Sequence, residues 1–106
     1  MIDSSKISEI ALRIATKFNP HKIILFGSYA NGTQKDDSDI DLLIIQDSDL
    51  PIQQRGYDIR MSLIGSKIPF DIVIYTKAEF DQEKDKSSSF LNSAMKNSKL
   101  LYERQN

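Results

Sequence analysis

The sequence of 106 residues contains no cysteine and a single histidine, His21. Without cysteine the chain can form neither a disulfide framework nor a thiolate metal site, which suits a reducing cytoplasm. With one histidine, a His-rich zinc site or a two-histidine metalloprotease motif cannot be built. Neither the P-loop pattern nor the dinucleotide fingerprint occurs, and no nucleophile elbow is present.

The chain also lacks long apolar runs and a strong net charge. The longest apolar stretches, KIILF and DLLII, are too short to span a bilayer, and no signal peptide is expected. The net charge of −1 gives no basic footprint of the kind that nucleic-acid-binding proteins carry. We therefore expect a cytoplasmic protein without direct nucleic-acid or membrane contact.

Negative charge is concentrated in one segment. Six aspartates and no lysine or arginine lie between Asp36 and Asp49, and four of the six fall within residues 36–41. An ordinary surface would intersperse the two signs. This segment is therefore the first place to look for a functional site.

Helical and strand patterns alternate along the chain. Apolar residues at helical spacing predict a helix over residues 4–17, with Ser4 or Ser5 as its N-cap. Short apolar runs predict strands at 22–26, 39–46 and 70–76 and a short final strand at LLYE. Further helices are predicted around 53–64, where Gly56 weakens the pattern, and at 77–86 and 88–97. We expect one α/β domain, residues 1–106, built on a single sheet.

Three aspartates fit a metal site. On a strand, Asp39 and Asp41 point to the same face, with Cα atoms about 6.6 Å apart. Their mutual repulsion is relieved by a hard divalent ion such as Mg²⁺, which prefers oxygen ligands. If the third strand lies beside the second, Asp71 reaches the same place, and three carboxylates with phosphate oxygens describe a two-metal site.

Gly27-Ser28 fits the phosphates that such metals bridge. A strand that ends in glycine and continues into a helical turn, here SYANG closed by Gly32, exposes backbone N–H groups to an anion. Because Gly27 has no Cβ, a phosphate can approach the backbone closely. Ser28 adds a hydroxyl donor. Lys35 offers charge to a triphosphate tail, although the ordinary interpretation of this residue, a solvated loop lysine, carries more weight.

Each element of this pattern also has an ordinary explanation. A GS pair alone carries no information, as Gly65-Ser66 shows, and DxD occurs often on surface strands. Asp36 and Asp37 fit a solvated turn, and Arg55 and Arg60 fit the surface of the middle helix. The tyrosines and phenylalanines are scattered, with no visible stacking platform for bases. The combination of GS, the spacing and DxD is what makes the pattern specific.

The combination resembles the signature of the DNA polymerase β-like nucleotidyltransferases, which is GS, ten residues, then DxD. Here Gly27-Ser28 is followed by residues 29–38 and then by Asp39-Ile40-Asp41. The segments FDIVIYTKAEF and KNSKLLYER extend the similarity over nearly the whole chain, to the short branch called minimal nucleotidyltransferases. The resemblance implies a mixed sheet flanked by helices, a polymerase β palm-like fold with metal and nucleotide at one end.

The resemblance also implies roles for the site residues. Asp39 and Asp41 would ligate two Mg²⁺ ions, and Asp71 would ligate the one nearer the attacking hydroxyl and could act as its base. Gly27 and Ser28 would hold the β- and γ-phosphates of ATP. The reaction would be an in-line attack on the α-phosphate with pyrophosphate leaving.

Many members of the short branch are antitoxins encoded beside a HEPN-domain ribonuclease toxin, and some transfer AMP from ATP to a tyrosine of that toxin. The resemblance thus implies a Mg²⁺-dependent protein adenylyltransferase that forms a hetero-oligomer with a HEPN toxin. Two alternatives stay open. The chain could neutralise its partner by binding alone, or it could modify a small molecule, for which an added helical domain would usually supply the acceptor pocket.

Overall fold

The computed structural model describes residues 2–105 of the chain. Two short 3₁₀ turns, Ile52–Gln54 and Ile64–Ser66, flank the middle helix. The helices and strands follow one another in the order α1 (Ser4–Phe18), β1 (Lys22–Phe26), α2 (Ser28–Asn31), β2 (Ile40–Ile45), α3 (Tyr57–Leu63), β3 (Phe70–Tyr75), α4 (Lys77–Glu83), α5 (Phe90–Met95) and β4 (Lys99–Glu103).

The four strands form one mixed sheet in the order β3-β2-β1-β4. β1 pairs antiparallel with both β2 and β4, whereas β2 and β3 run parallel. The parallel pair requires a crossover connection, which the segment containing α3 provides. The predicted α/β class, with a mixed sheet flanked by helices, is confirmed, and so is the placement of the third strand beside the second.

Both faces of the sheet are covered, because successive residues of a strand point to opposite sides. α1 and α3 cover one face, where strand residues Ile23, Leu25, Leu42, Ile44, Ile72 and Ile74 are buried. α4 and α5 cover the other face, where Ile24, Phe26, Leu43 and Ile45 pack with Phe80, Leu91 and Ala94. The face to which any strand residue points is therefore fixed by the core.

The first helix begins one residue earlier than its serines indicate. Asp3 is the N-cap, and its Oδ1 accepts hydrogen bonds from the Lys6 amide at 2.9 Å and the Ser5 hydroxyl at 2.6 Å. The predicted serine N-cap is wrong because the aspartate satisfies both donors. The helix ends at Phe18, and its C-cap, Asn19, has the left-handed conformation with φ 51°, just before the buried Pro20.

The predicted middle helix, 53–64, is interrupted at Gly56. This residue has φ 82°, and a Cβ there would overlap the side chain of Ile74, so the chain turns sharply before α3 begins. Arg55 is not the surface residue that the sequence indicates, since it is only 6% exposed and forms a bidentate pair with Glu79. Arg60 donates to the backbone carbonyls of Arg55 and Ile72.

The later helices and β3 are shorter than predicted, whereas β4 begins one residue before the predicted LLYE, at Lys99. β3 ends at Tyr75 because Thr76 caps α4 in a capping box with Glu79. α4 ends at Glu83 and α5 occupies only the central part of the predicted helix 88–97, with Ser89 as its N-cap. Over residues 2–105, no helix is long and apolar enough to cross a membrane.

Candidate functional site

A row of three side chains crosses the sheet where β1 ends and β2 and β3 begin. Phe26 of β1 pairs with Asp41 of β2, and Asp41 pairs with Asp71 of β3. Because Leu43, two residues after Asp41, is buried beneath α4 and α5, the row projects from that face of the sheet. The parallel register thus places Asp71 directly beside Asp41.

Asp39 lies just outside the sheet. β2 begins at Ile40, whose amide donates to the Pro69 carbonyl at 2.9 Å, and Asp39 precedes it as an exposed residue. The prediction that Asp39 belongs to the strand is therefore wrong by one residue, and strand alternation does not set the direction of its side chain. Its charge nevertheless acts on Asp41, as the pKa of that carboxyl shows.

Gly27 lies against the carboxylate of Asp41. The glycine has φ 72° and ψ −153°, a conformation that residues with a Cβ rarely adopt. A Cβ at this position would overlap Oδ2 of Asp41 and lie 3.0 Å from its Cγ. The end of β1 and the acidic strand can approach each other this closely only because residue 27 is glycine.

The turn after Gly27 is anchored to the core. Tyr29 and Ala30 of α2 are buried with the α1 side of the core, and the Tyr29 hydroxyl accepts a hydrogen bond from the Ile2 amide at 3.2 Å. The Gly32 amide closes the turn by donating to the Ser28 carbonyl at 3.0 Å. The first amides of such a turn have no acceptor within it. The half-buried Ser28 therefore lies at the start of a turn whose first backbone N–H groups are available to a ligand.

The three aspartates interact electrostatically. Burial, the charge of Asp71 and the charge of Asp39 together raise the pKa of Asp41, with burial the largest cause. Within residues 2–105, no hydrogen bond or ion pair reaches any of the three carboxylates. The site thus concentrates negative charge that the described protein groups do not compensate.

Lys35 stands apart from this cluster. It is exposed on the loop between α2 and β2, where its amide donates to the Ser38 hydroxyl at 2.8 Å. Among the described residues its side chain pairs with none of the three aspartates. Asp36 and Asp37 are exposed in the turn that follows Lys35, in agreement with the solvated turn expected there.

The donor set suits a hard divalent cation. All three groups offer carboxylate oxygens, which Mg²⁺ prefers. Burial and, after it, the charges of Asp71 and Asp39 raise the pKa of Asp41, and a bound cation would favour its ionised form. In the part of the chain that the structure describes, no three such side chains converge tightly enough to form a preassembled metal cage. The residues therefore fit metals that are shared with substrate phosphates and water, and not a closed structural site.

A cavity that the sequence did not indicate adjoins Gly27. It measures about 410 Å³ and lies between the end of β1 and α5, with Phe26, Gly27, Asn31 and Phe90 among its lining residues. The rings of Phe26 and Phe90 meet edge to face, with centroids 5.7 Å apart. Because these two residues are 64 positions apart, no local sequence pattern could have revealed their contact.

The architecture is that of a nucleotidyltransferase. A candidate nucleotidyltransferase from Sulfolobus solfataricus has a similar structure, with a TM-score of 0.55 and 24% identity over 94% of this chain and 79% of that one. A toxin–antitoxin complex with AMP-PNP contains another, with a TM-score of 0.59 and 22% identity over 92% of this chain and 74% of that one. At these identities the likeness concerns the fold.

The family follows from sequence. The model of the nucleotidyltransferase domain matches residues 7–101, and the chain belongs to that family. A protein of Methanocaldococcus jannaschii, named as a candidate protein adenylyltransferase, is 43% identical over 51 residues, which cover 46% of this chain and 51% of that protein. The chain thus spans about half the length of this curated relative.

Proposed function

We propose that the protein transfers AMP from ATP, with Mg²⁺, to a hydroxyl group of a protein partner and thereby acts as the antitoxin of a toxin–antitoxin pair. The observation that carries the transferase part is the register that sets Asp41 beside Asp71 and beside Gly27. This arrangement provides carboxylates for metal next to backbone groups for phosphate. Membership of the nucleotidyltransferase family supports the same chemistry.

In the proposed reaction the chain acts mainly by positioning. Asp39, Asp41 and Asp71 would hold two Mg²⁺ ions, which supply charge neutralisation to the triphosphate and acidify the attacking hydroxyl. The Ser28 hydroxyl and the first amides of α2 would hold the β- and γ-phosphates. The acceptor oxygen would bond to the α-phosphorus as the bond to the pyrophosphate oxygen breaks, and its proton would pass to Asp71.

The location of Asp71 favours a large acceptor. β3 is an edge strand, and Asp71 is exposed at its beginning, so a hydroxyl carried by another protein could reach it without entering a deep pocket. The M. jannaschii relative is named for adenylyl transfer to protein, and a structural neighbour comes from a toxin–antitoxin complex. Because the chain resembles the minimal nucleotidyltransferases, we propose that the acceptor is a tyrosine of a HEPN-domain toxin.

The test combines the protein with labelled ATP, Mg²⁺ and the product of the neighbouring open reading frame. We expect label on the partner with the wild-type protein and none with Asp39→Asn. Absence of transfer by the wild type, or equal transfer by the variant, would contradict the enzymatic function.

The variant Asp41→Ala tests whether the protein neutralises its partner by catalysis or by binding alone. We expect this variant to leave the toxin active in cells while still binding it in a pull-down. If the variant neutralises the toxin as well as the wild type does, the partner is masked and not modified.

A further inference from the structure

The cavity beside Gly27 has one aromatic wall and one polar wall. Phe90 is 49% exposed although it is a large apolar residue, whereas Phe26 behind it is only 8% exposed. Because Phe26 meets Phe90 edge to face, at an angle of 86° between the rings, it supports the ring of Phe90. A flat apolar surface thus lies open to the cavity.

The polar wall offers groups that can donate and accept. The Asn31 Oδ1 accepts from the amide and the hydroxyl of Thr33, which leaves its NH₂ group for another partner. Ser93 and Asn97 also line the cavity, and their side chains make no hydrogen bond within residues 2–105. An aromatic surface with amide and hydroxyl groups beside it is the combination that recognises a nucleobase by stacking and edge contacts.

The wall that carries Phe90 is fixed in place. The Ser89 hydroxyl donates to the Glu83 carbonyl at 2.7 Å, and the Asn92 amide group donates to the Lys84 carbonyl at 3.1 Å. Leu91 is fully buried in the core on that face. α5 is therefore held against α4 and presents Phe90 on a rigid support, which lowers the entropic cost of binding.

The cavity adjoins the row formed by Phe26, Asp41 and Asp71. Phe26 is the register partner of Asp41, and Gly27 belongs both to the cavity and to the contact with the Asp41 carboxylate. Its volume of about 410 Å³ is within the usual range for small-ligand sites. The opposite side of the row, at Asp71 on the edge strand, stays open for the acceptor.

We infer that this cavity binds the base and ribose of the nucleoside triphosphate, with Phe90 as the stacking surface and Asn31, Ser93 and Asn97 as the polar contacts. The inference rests on the proposed function, since it assigns the part of the substrate that Gly27, Ser28 and the aspartates do not hold. In this arrangement β1 and α5 contact the nucleoside, and β3 lies on the side where the acceptor binds.

The test uses calorimetric titration of the protein with Mg·ATP and with Mg·tripolyphosphate, which lacks the nucleoside. We expect Phe90→Ala to weaken binding of Mg·ATP at least about fivefold and to leave binding of Mg·tripolyphosphate unchanged. Leu12→Ala is the matched control, because Leu12 is another exposed apolar residue, 63% exposed, on α1 across the sheet. It should change neither affinity.

A second variant guards against a folding defect. The chain contains no tryptophan, so Phe90→Trp introduces a single fluorescent reporter that keeps an aromatic surface. We expect this variant to bind Mg·ATP at least as tightly as the wild type, with quenching by Mg·ATP but not by Mg·tripolyphosphate. Leu12→Trp should show no quenching by either ligand.

The possible results distinguish failure of the nucleoside site from failure of the proposed function. Equal binding of Mg·ATP by the wild type and Phe90→Ala overturns the base site but leaves the proposed function intact. Unchanged ATP binding with slower transfer to the partner would assign the cavity to the acceptor and also overturns it. If the wild type binds neither Mg·ATP nor Mg·tripolyphosphate, the proposed function fails, and this inference fails with it.

Discussion

Charged side chains form ion pairs at one end of the sheet, whereas Asp39, Asp41 and Asp71 at the other end form none within residues 2–105. Where β3 ends, Arg55 forms two hydrogen bonds to Glu79, at 2.5 and 2.9 Å, and a third to the Ile74 carbonyl. Where β1 begins, His21 contacts both Asp47 and Arg104. At the opposite end, the three aspartates have no such partner among residues 2–105.

The difference separates charges that hold the fold from charges that are available for chemistry. A partly buried ion pair between Arg55 and Glu79 fixes the loop before α3 to the first turn of α4, and the bond from Arg55 to the Ile74 carbonyl fixes the same loop to β3. Burial and the neighbouring charges of Asp71 and Asp39 raise the cost of ionising Asp41, which disfavours the folded state. A local arrangement that works against stability is expected at functional sites. The acidic end is the part of the sheet that fits this description.

The largest effect should come from removing charge at the acidic end. We expect Asp41→Asn to lower the rate of nucleotidyl transfer at least about 100-fold, because the metals lose a ligand, while the melting temperature stays equal or rises. Asp37→Asn, which changes an exposed turn residue of the same loop, is the control and should retain activity. A clear fall in melting temperature for Asp41→Asn would break the comparison between the two ends.

The second effect concerns the glycine beside Asp41. We expect Gly27→Ala to destabilise the fold by about 1–3 kcal/mol and to lower transfer at least about tenfold, since the new Cβ meets Asp41 in a strained backbone conformation. Gly65→Ala is the matched control, because a Cβ there has open space around it. Denaturant unfolding and the transfer assay measure both quantities. Equal stability for the two variants would contradict the close approach at Gly27.

The third effect lies at the paired end and should change stability alone. We expect Arg55→Met to lower the free energy of unfolding by about 2 kcal/mol, because Arg55 is buried and Glu79 loses its partner. The folded fraction should keep its specific activity. Lys77→Met breaks an exposed pair with Asp81 and should cost less than about 0.5 kcal/mol. Loss of specific activity in Arg55→Met would show that the two ends are coupled.

The smallest effect is a difference in pH dependence. Arg55 lowers the pKa of Glu79 to about 2, so its stabilising contribution is present above the ordinary pKa of 4.5 and is lost as the pH falls towards 2. The raised pKa of Asp41 has the opposite sign, because its unfavourable ionisation is relieved as the pH falls through that pKa. Melting curves from pH 7 to pH 2 should therefore show a smaller low-pH loss for Glu79→Gln and no relief near the Asp41 pKa for Asp41→Asn. Curves that match the wild type in both variants would rule out this assignment.

Much of the acidic end could be predicted because its signals are local. The strand patterns of β1, β2 and β3 follow from short apolar runs, and the spacing between Gly27-Ser28 and Asp41 is legible in the sequence. The neighbouring position of Asp71 needed one assumption, the pairing of β2 with β3, and that assumption is correct. The sequence does not determine the first residue of β2, so the strand pattern includes Asp39, which in the structure precedes the strand.

The features that were missed depend on contacts between distant residues. Arg55 is buried because Glu79, 24 residues later, lies opposite it after the crossover through α3. Phe90 meets Phe26 only after α5 folds back over the sheet. Capping by Asp3 was missed for a different reason, since aspartate and serine are comparable N-caps and the choice depends on local geometry.

The parallel pairing of β2 with β3 has a consequence for how mutations can reach the acidic end. Side chains alternate along β3, so a slip of one residue would move Ile72 and Ile74 out of the core and turn Asp71 under α1 and α3. A chain with this shifted register would expose Ile72 and Ile74 and would therefore be less stable even without a ligand. The alternating apolar residues of β3 thus fix the position of Asp71 beside Asp41. Substitutions at Ile72 or Ile74 could therefore abolish catalysis although neither residue contacts a reacting group.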